Sequence, residues 1–332
     1  MKTSSLWLRW KRLFRIETWN IGVIERHCVD LEQLIATGRL PDVRWSTWVS
    51  PHKYRADPFV WRESGDTRVI FEEYDWWCGR ADIRSIRIDG ELGANRRIEL
   101  AGSYHLSYPQ IIKCDGATYC VPESAELGAV DLYAWDPESL RWNYRTRLIE
   151  ERVLDPTLIH FGGAWYMFGT LMGEKAWESL QIWWSHSLYG SWVAHPLSPI
   201  KSPSGCSRSA GPIFTSSGRL YRPVQDNSNG YGSGILLHRI DILTPELFSE
   251  TCVRRLGPEP GGPYPSGLHT LTVDEEFVLV DGKRMVSAVL APAFKAIWRV
   301  SHAIRASRKG RPLFGKGPAW FTPTSSGRAH VG

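Results

Sequence analysis

No apolar run in this chain approaches the ~18 residues needed to cross a bilayer as a helix, so its body is expected to be soluble. The opening MKTSSLWLRWKRLFRIETWN mixes basic with apolar residues and has neither an uninterrupted apolar core nor a small-residue cleavage site, which argues against a secretory signal. Cysteine is sparse: the six, at 28, 78, 114, 120, 206 and 252, have neither the density of a disulfide scaffold nor the CxxC spacing of a zinc site. Free thiols in a reducing compartment are the simplest account, so a cytoplasmic address is expected. Phosphate-binding GxxxxGK[ST] loops, GxGxxG turns, HExxH and GxSxG are all missing, which withdraws the usual support for nucleotide, dinucleotide, zincin and serine-hydrolase chemistry. No cofactor and no metal site is expected. The net charge of +5 is modest and gathers at the two ends, in Lys2 to Arg15 and Arg305 to Lys316, a weak basis for nucleic-acid binding. Those basic, amphipathic ends would still allow a peripheral contact with a membrane such as the inner membrane surface.

What is abundant is tryptophan, with 17 residues. Indole rings pack sheet interfaces and also stack on the apolar faces of sugar rings. The order of the chain supplies a repeat: ADPFVWRESGDTRVIFEEY from Ala56, SYPQIIKCDGATYCVPES from Ser107, LDPTLIHFGGAWYMFGT from Leu154, SAGPIFTSSGRLYRPVQD from Ser209 and GLHTLTVDEEFVLVDGKR from Gly267. Each reads as two β-rich runs around a Gly or Asp turn, and the starts are spaced at roughly 50 residues, the length of a four-stranded propeller blade with generous loops. Further strands are predicted at Ala81 to Ile88, Val130 to Trp135, Leu180 to Ser185 and Gly234 to Ile240, with outer strands at Trp142 to Leu148 and Trp192 to Pro196. The expected fold is therefore all-β, a five-bladed β-propeller over residues 51–290. Residues 1–50 form a short N-terminal extension with a helix at Val29 to Thr37. Residues 291–332 hold a basic amphipathic helix, Ala293 to Arg308, and a disordered tail.

A blade cannot bury both its faces alone, so five would stack about an axis with each first strand lining the channel. The starts of those strands, at Asp57, Tyr108, Asp155, Gly211 and His269, should converge at one mouth. Asp57 suits a general base or nucleophile toward a sugar carbon, although Asp-Pro is also a common turn opener. Asp155 repeats the Asp-Pro context, and two such carboxylates can divide acid and base work. Glu123 and Glu73, each at the end of a second strand, are the acid candidates. Adjacent Glu72 and Glu73 must face opposite sides of the sheet. Arg208, Gln225, Asp226 and Tyr231 gather hydrogen-bonding groups suited to sugar hydroxyls, while His105 and His269 lie near the same mouth and also have an ordinary structural reading.

The run Ala56-Asp57-Pro58-Phe59, Phe71-Glu72-Glu73, His105-Leu106-Ser107-Tyr108-Pro109 and Pro122-Glu123 resembles the N-terminal propeller region of glucosamine inositolphosphorylceramide transferases and their bacterial relatives. The likeness continues through Trp165 to Gly169, Ile182 to Ser185, Leu220-Tyr221-Arg222 with Gln225-Asp226, and Leu268-His269. That region is in turn similar in fold to the arabinanase, β-xylosidase and invertase superfamily. The resemblance implies a central site of three carboxylates, with Asp57 as base or nucleophile and Asp155 as the supporting aspartate. It departs at Ala210-Gly211-Pro212, where the arabinanase-like pattern has an acidic Glu and this chain has Ala210. Either Glu123, Glu73 or Asp226 then supplies the acid, or the protein is no hydrolase. The resemblance implies a carbohydrate or glycolipid ligand, glycan or surface-polysaccharide metabolism, and as partner a glycosyltransferase or formyltransferase-like protein. The alternative is a non-catalytic glycan-binding scaffold that positions substrate for a separate transferase.

Overall fold

The computed structural model describes residues 13–307 apart from 64, 90–91, 93–96, 174–176 and 203. The chain opens with β1 (Arg15–Glu25), a 3-10 turn (Arg26–Cys28), α1 (Leu31–Thr37) and β2 (Arg44–Trp45). Helix α1 starts where Asp30 accepts the backbone N–H groups of Glu32 and Gln33, and it stops at left-handed Gly38.

Four sheets then follow in sequence. The first blade is β3 (Lys53–Glu63), β4 (Asp66–Asp75), β5 (Arg80–Arg87) and β6 (Arg97–Leu100). The second is β7 (Ser107–Cys114), β8 (Ala117–Glu123), β9 (Val130–Asp136) and β10 (Arg141–Ile149). The third is β11 (Val153–Phe161), β12 (Ala164–Leu171), β13 (Ser179–Ser185) and β14 (Val193–Ala194), with β15 (Ile200–Lys201) also on β13. The fourth is β16 (Phe214–Ser216), β17 (Arg219–Asp226), β18 (Gly234–Leu243) and β19 (Phe248–Leu256). All are antiparallel meanders, as the hairpin spacing requires.

The fifth blade is composite: β20 (Leu271–Val273) and β21 (Phe277–Ser287) are completed by β1 and β2 from the start of the chain. Pairing of β1 with β21 runs from Arg15 opposite Ser287 to Glu25 opposite Phe277. The expected boundary at residue 51 is corrected on this point, because the segment before it closes the ring. Closure of this kind leaves no open sheet edge between the first and last blades. The expected C-terminal helix is present as α2 (Ala291–Ser307). The expected tail lies outside the described residues.

Five apolar clusters explain why the blades stack. Alternation along each strand sends neighbouring residues to opposite interfaces. Ile70 packs with Tyr108 and Trp142 of the second blade, whereas Val69 and Phe71 pack with Ile21 and Leu279 of the fifth. Trp165 and Met167 face the second blade, while Tyr166 and Phe168 face Leu220 and Phe248 of the fourth. The fifth cluster joins Tyr221 and Leu237 to Val278 and Val280, with Leu31 and Leu34 of α1 over it.

Candidate functional site

The inner strands begin with a shared distortion. Asp57, Tyr108 and Asp155 have φ of 51°, 46° and 48°, each directly before a proline, and Gly211 before Pro212 has φ of 127°. The pairing slips by one residue there, between Ala56 and Phe59, Ser107 and Gln110, and Leu154 and Thr157. A left-handed non-glycine residue is strained by ~1–3 kcal/mol, and more awkwardly so before proline, so something must hold these bulges. In the fourth blade only glycine fits, since a Cβ on Gly211 would lie 2.0 Å from the Leu271 carbonyl oxygen.

What holds them is a ring of side chains that capture the freed amides. The Asp57 N–H donates to Asp281 (3.2 Å), that of Tyr108 to Asp57 (3.3 Å), that of Asp155 to Glu123 (3.0 Å) and that of Gly211 to the Tyr108 hydroxyl (2.8 Å). Each of these bonds joins two different blades, so the polar residues at the axis lock the blades together as well as facing the mouth.

Above the ring lies a cavity of about 720 Å³, within the size range of ligand sites. Its floor and walls include Asp57, Glu72, Glu123, His105, Arg208 and His269, and its sides are aromatic: Trp19, Tyr54, Tyr74, Trp76, Trp177, Tyr231 and Trp298. Trp19 comes from β1, so the strand that closes the ring also supplies a wall.

The slip in register decides which glutamate enters. Glu72 stands opposite Ala56 and Glu123 opposite Ser107, equivalent places in the first two blades. Glu72 therefore lines the cavity, and the expectation for Glu73 is corrected. Glu73 turns to the other face of β4, where it meets Lys53 (3.5 Å), Arg55 (3.7 Å) and Arg84 (3.6 Å). The same alternation separates Gln225 from Asp226. Gln225 donates to Asp155 (2.9 Å), whereas Asp226 is bound by Arg255 (2.6 Å) on the opposite face and does not line the cavity. Tyr108 is buried beneath the floor, its hydroxyl also 2.8 Å from Thr157 Oγ1.

Two carboxyl pairs result. Burial, with the Asp57 charge beside it, pushes Glu72 far above the usual carboxylate range. Burial also raises Asp57, reinforced by Asp155 and Asp281 and opposed by His269. Asp57 accepts Thr270 Oγ1 (2.7 Å) and the Tyr108 amide (3.3 Å), and hydrogen bonds to its oxygens favour the charge on Asp57 and the proton on Glu72. On the other side, burial and the neighbouring Asp155 push Glu123 far above the usual range despite Arg208 Nη2 at 3.6 Å. Arg208 is forked onto Asp155, with Nη2 at 3.1 Å and Nε closer still, between the rings of Trp177 and Tyr231. Burial works against the His269 charge, but Asp281, 2.5 Å from Nδ1, and Asp57, 3.6 Å from Nε2, outweigh it and raise its pKa.

Asp57, His269 and Asp281 bring ligand atoms within 4.8 Å of one another and could share a cation, although their present arrangement is that of an ion-paired cluster. His105 lines the cavity with Nδ1 accepting the Ala81 amide (3.1 Å) and Nε2 at 3.9 Å from Glu72. Ala210, where an acid was sought, is fully buried among apolar residues. Sequence reasoning missed Glu72, Asp281 and the aromatic wall apart from Tyr231. For Glu72 a signal existed: counting back from each hairpin turn with the pre-proline slip included places Glu72 and Glu123 together.

Residues 38–259 match the family model described as "Glucosamine inositolphosphorylceramide transferase 1, N-terminal". The glucosamine inositolphosphorylceramide transferase 1 of Oryza sativa subsp. japonica is 31% identical over 210 residues, covering 61% of this chain and 28% of the relative. That of Arabidopsis thaliana is 31% identical over 217 residues, covering 60% and 27%. The chain thus spans less than a third of the length of these relatives. Among solved structures, an exo-β-1,3-galactanase from Clostridium thermocellum is similar with a TM-score of 0.48 and 14% identity, over 63% of this chain and 53% of that one. A family-43 β-xylosidase/α-arabinofuranosidase from a compost microbial metagenome gives 0.48 and 14%, over 71% and 92%.

Proposed function

This chain belongs to the family of the N-terminal region of glucosamine inositolphosphorylceramide transferase 1, and from that premise we propose that its axial cavity binds a glycan or glycolipid headgroup and acts on a glycosidic linkage there. The observation that carries the reading is that Asp57 and Glu123 face one aromatic-walled cavity, with burial and the neighbouring Asp155 holding Glu123 well above the usual carboxylate range. Such a pair divides glycosidic work: Glu123 protonates the departing oxygen, and Asp57 acts as base toward water or as nucleophile toward the sugar carbon. Asp155 stays beneath Glu123 and supports it through the shared hydrogen bond. Trp19, Trp177 and Trp298 give the sugar ring its stacking faces, and His105, Arg208, Tyr231 and His269 meet its hydroxyls. The transferase activity in the relatives' name is not carried over, since this chain spans too little of them.

A second reading is favoured by Ala210 and by the amide-capturing duties of Asp57 and Glu123: a glycan-binding scaffold that presents its ligand to a separate transferase. A glycan array read for binding and for product release, with Asp57→Asn and Glu123→Gln beside the native chain, separates the two. Release by the native chain that both variants lose supports catalysis, whereas binding without release in all three supports the scaffold. No binding to any glycan ends both readings.

A further inference from the structure

The C-terminal helix has two apolar faces, and only one is covered. Ala291 and Phe294 are fully buried, with Phe294 packed on Trp76 and Trp77 beside the cavity mouth. On the opposite side, Ala293, Ala296 and Val300 follow the three-to-four-residue spacing of one helical stripe, continued backward by Val289. All four are exposed, Val289 by 86% and Val300 by 59%. Arg299 borders the stripe, and Trp298, itself 42% exposed, reaches from the same helix into the cavity wall.

The first described residues pack against this helix and the strand before it. Lys295 Nζ donates to the Leu13 carbonyl (3.1 Å), and the Ala288 N–H donates to that of Phe14 (2.8 Å). The residues before Leu13 and after Ser307 carry nine basic and no acidic side chains, which leaves the remainder of the chain with an excess of four acids. Positive charge in the sequence is thus joined to a helix that presents an apolar stripe and borders the cavity.

We propose that this face docks on an anionic lipid bilayer, with the stripe Val289, Ala293, Ala296 and Val300 in the headgroup boundary and Arg299 on the lipid phosphates. An apolar stripe flanked by basic residues is the pattern of helices that lie in a membrane interface, and charge complementarity selects an anionic surface over a neutral one. Only what enters the cavity rests on the glycan reading above; the docking does not.

The test is co-sedimentation of the full chain, without sugar, with vesicles of phosphatidylcholine alone and of phosphatidylcholine mixed with phosphatidylglycerol. The native protein should pellet with the mixed vesicles, remain in solution with the neutral ones and be released by high salt. Ala296→Asp with Val300→Asp, and separately Arg299→Glu, should each weaken pelleting by about tenfold while leaving the thermal melt unchanged, as expected for exposed positions. Equal pelleting on both vesicles, no pelleting, or variants that pellet like the native chain would overturn the proposal. So would a dimer in light scattering that the double variant dissolves, which would assign the stripe to a second copy.

Discussion

The cavity floor has two halves built to one plan and backed by different chemistry. On one side Glu72 sits over Asp57, and on the other Glu123 sits over Asp155. Asp57 is backed by Thr270 and by the His269–Asp281 pair; Asp155 is backed by Arg208 and Gln225. A guanidinium keeps its charge at every accessible pH, whereas an imidazole can lose it. The cation that backs one half is therefore fixed, and the cation that backs the other titrates. The glycosidic site proposed above would need an asymmetry between two carboxyl groups, and the second neighbour of each pair is what would supply it.

The largest effect should follow from breaking the fixed half. Arg208→Ala leaves buried Asp155 without its guanidinium and with only Gln225 and the Glu123 carboxyl beside it, and removing one partner of a buried ion pair costs about 3–5 kcal/mol. Urea unfolding at neutral pH measures it. A loss below about 1 kcal/mol, the scale of an exposed pair, would mean that the two halves are equally soft.

His269→Gln should cost less at neutral pH, about 1–3 kcal/mol, and its cost should depend on pH. His269 is raised above its ordinary 6.5, so its contribution is complete below that value and fades as pH rises through the raised one. Asp281 is lowered from 3.8, so its contribution is present above that value and fades as pH falls through the lowered one. The native chain should thus exceed the variant most in the window between, and the difference should shrink on the alkaline side. A difference constant from acid to alkali would show that the ion pair adds nothing beyond packing.

How legible these two halves were depended on what each residue answers to. The five blades were readable because hairpin periodicity and turn residues are local, and Asp57, Tyr108 and Asp155 were readable because each stands before a proline in a repeated context. Glu73 was mistaken for Glu72 because strand alternation fixes a face only when the register is known, and one bulged residue shifts it. Asp226 failed for the same reason beside Gln225. Trp19 was hidden by a different cause: β1 pairs with a strand more than 250 positions later in the chain, and no local pattern announces so distant a partner. Asp281 followed Trp19 out of sight, being recognisable only once that fifth blade is closed.

The smallest effect should come from neutralising the upper members of the two pairs. Glu72 and Glu123 hold their protons in the folded state well above their ordinary 4.5, so folding takes up protons between that value and the raised ones. Their stabilising contribution is complete below 4.5 and declines as pH rises toward the folded value. Glutamine copies the protonated form: it keeps an oxygen for the Asp155 amide at position 123 and offers an N–H toward Asp57 at position 72. Glu72→Gln and Glu123→Gln should each change stability by about 1 kcal/mol or less, in the stabilising direction at neutral pH, and should flatten the fall in stability between mild acid and neutrality. If Glu123→Gln flattens that fall and Glu72→Gln does not, the shared proton of the other pair rests on Asp57. The His269 half would then carry its charge on Glu72, and the acid and base assignments within the cavity would exchange places on that side alone.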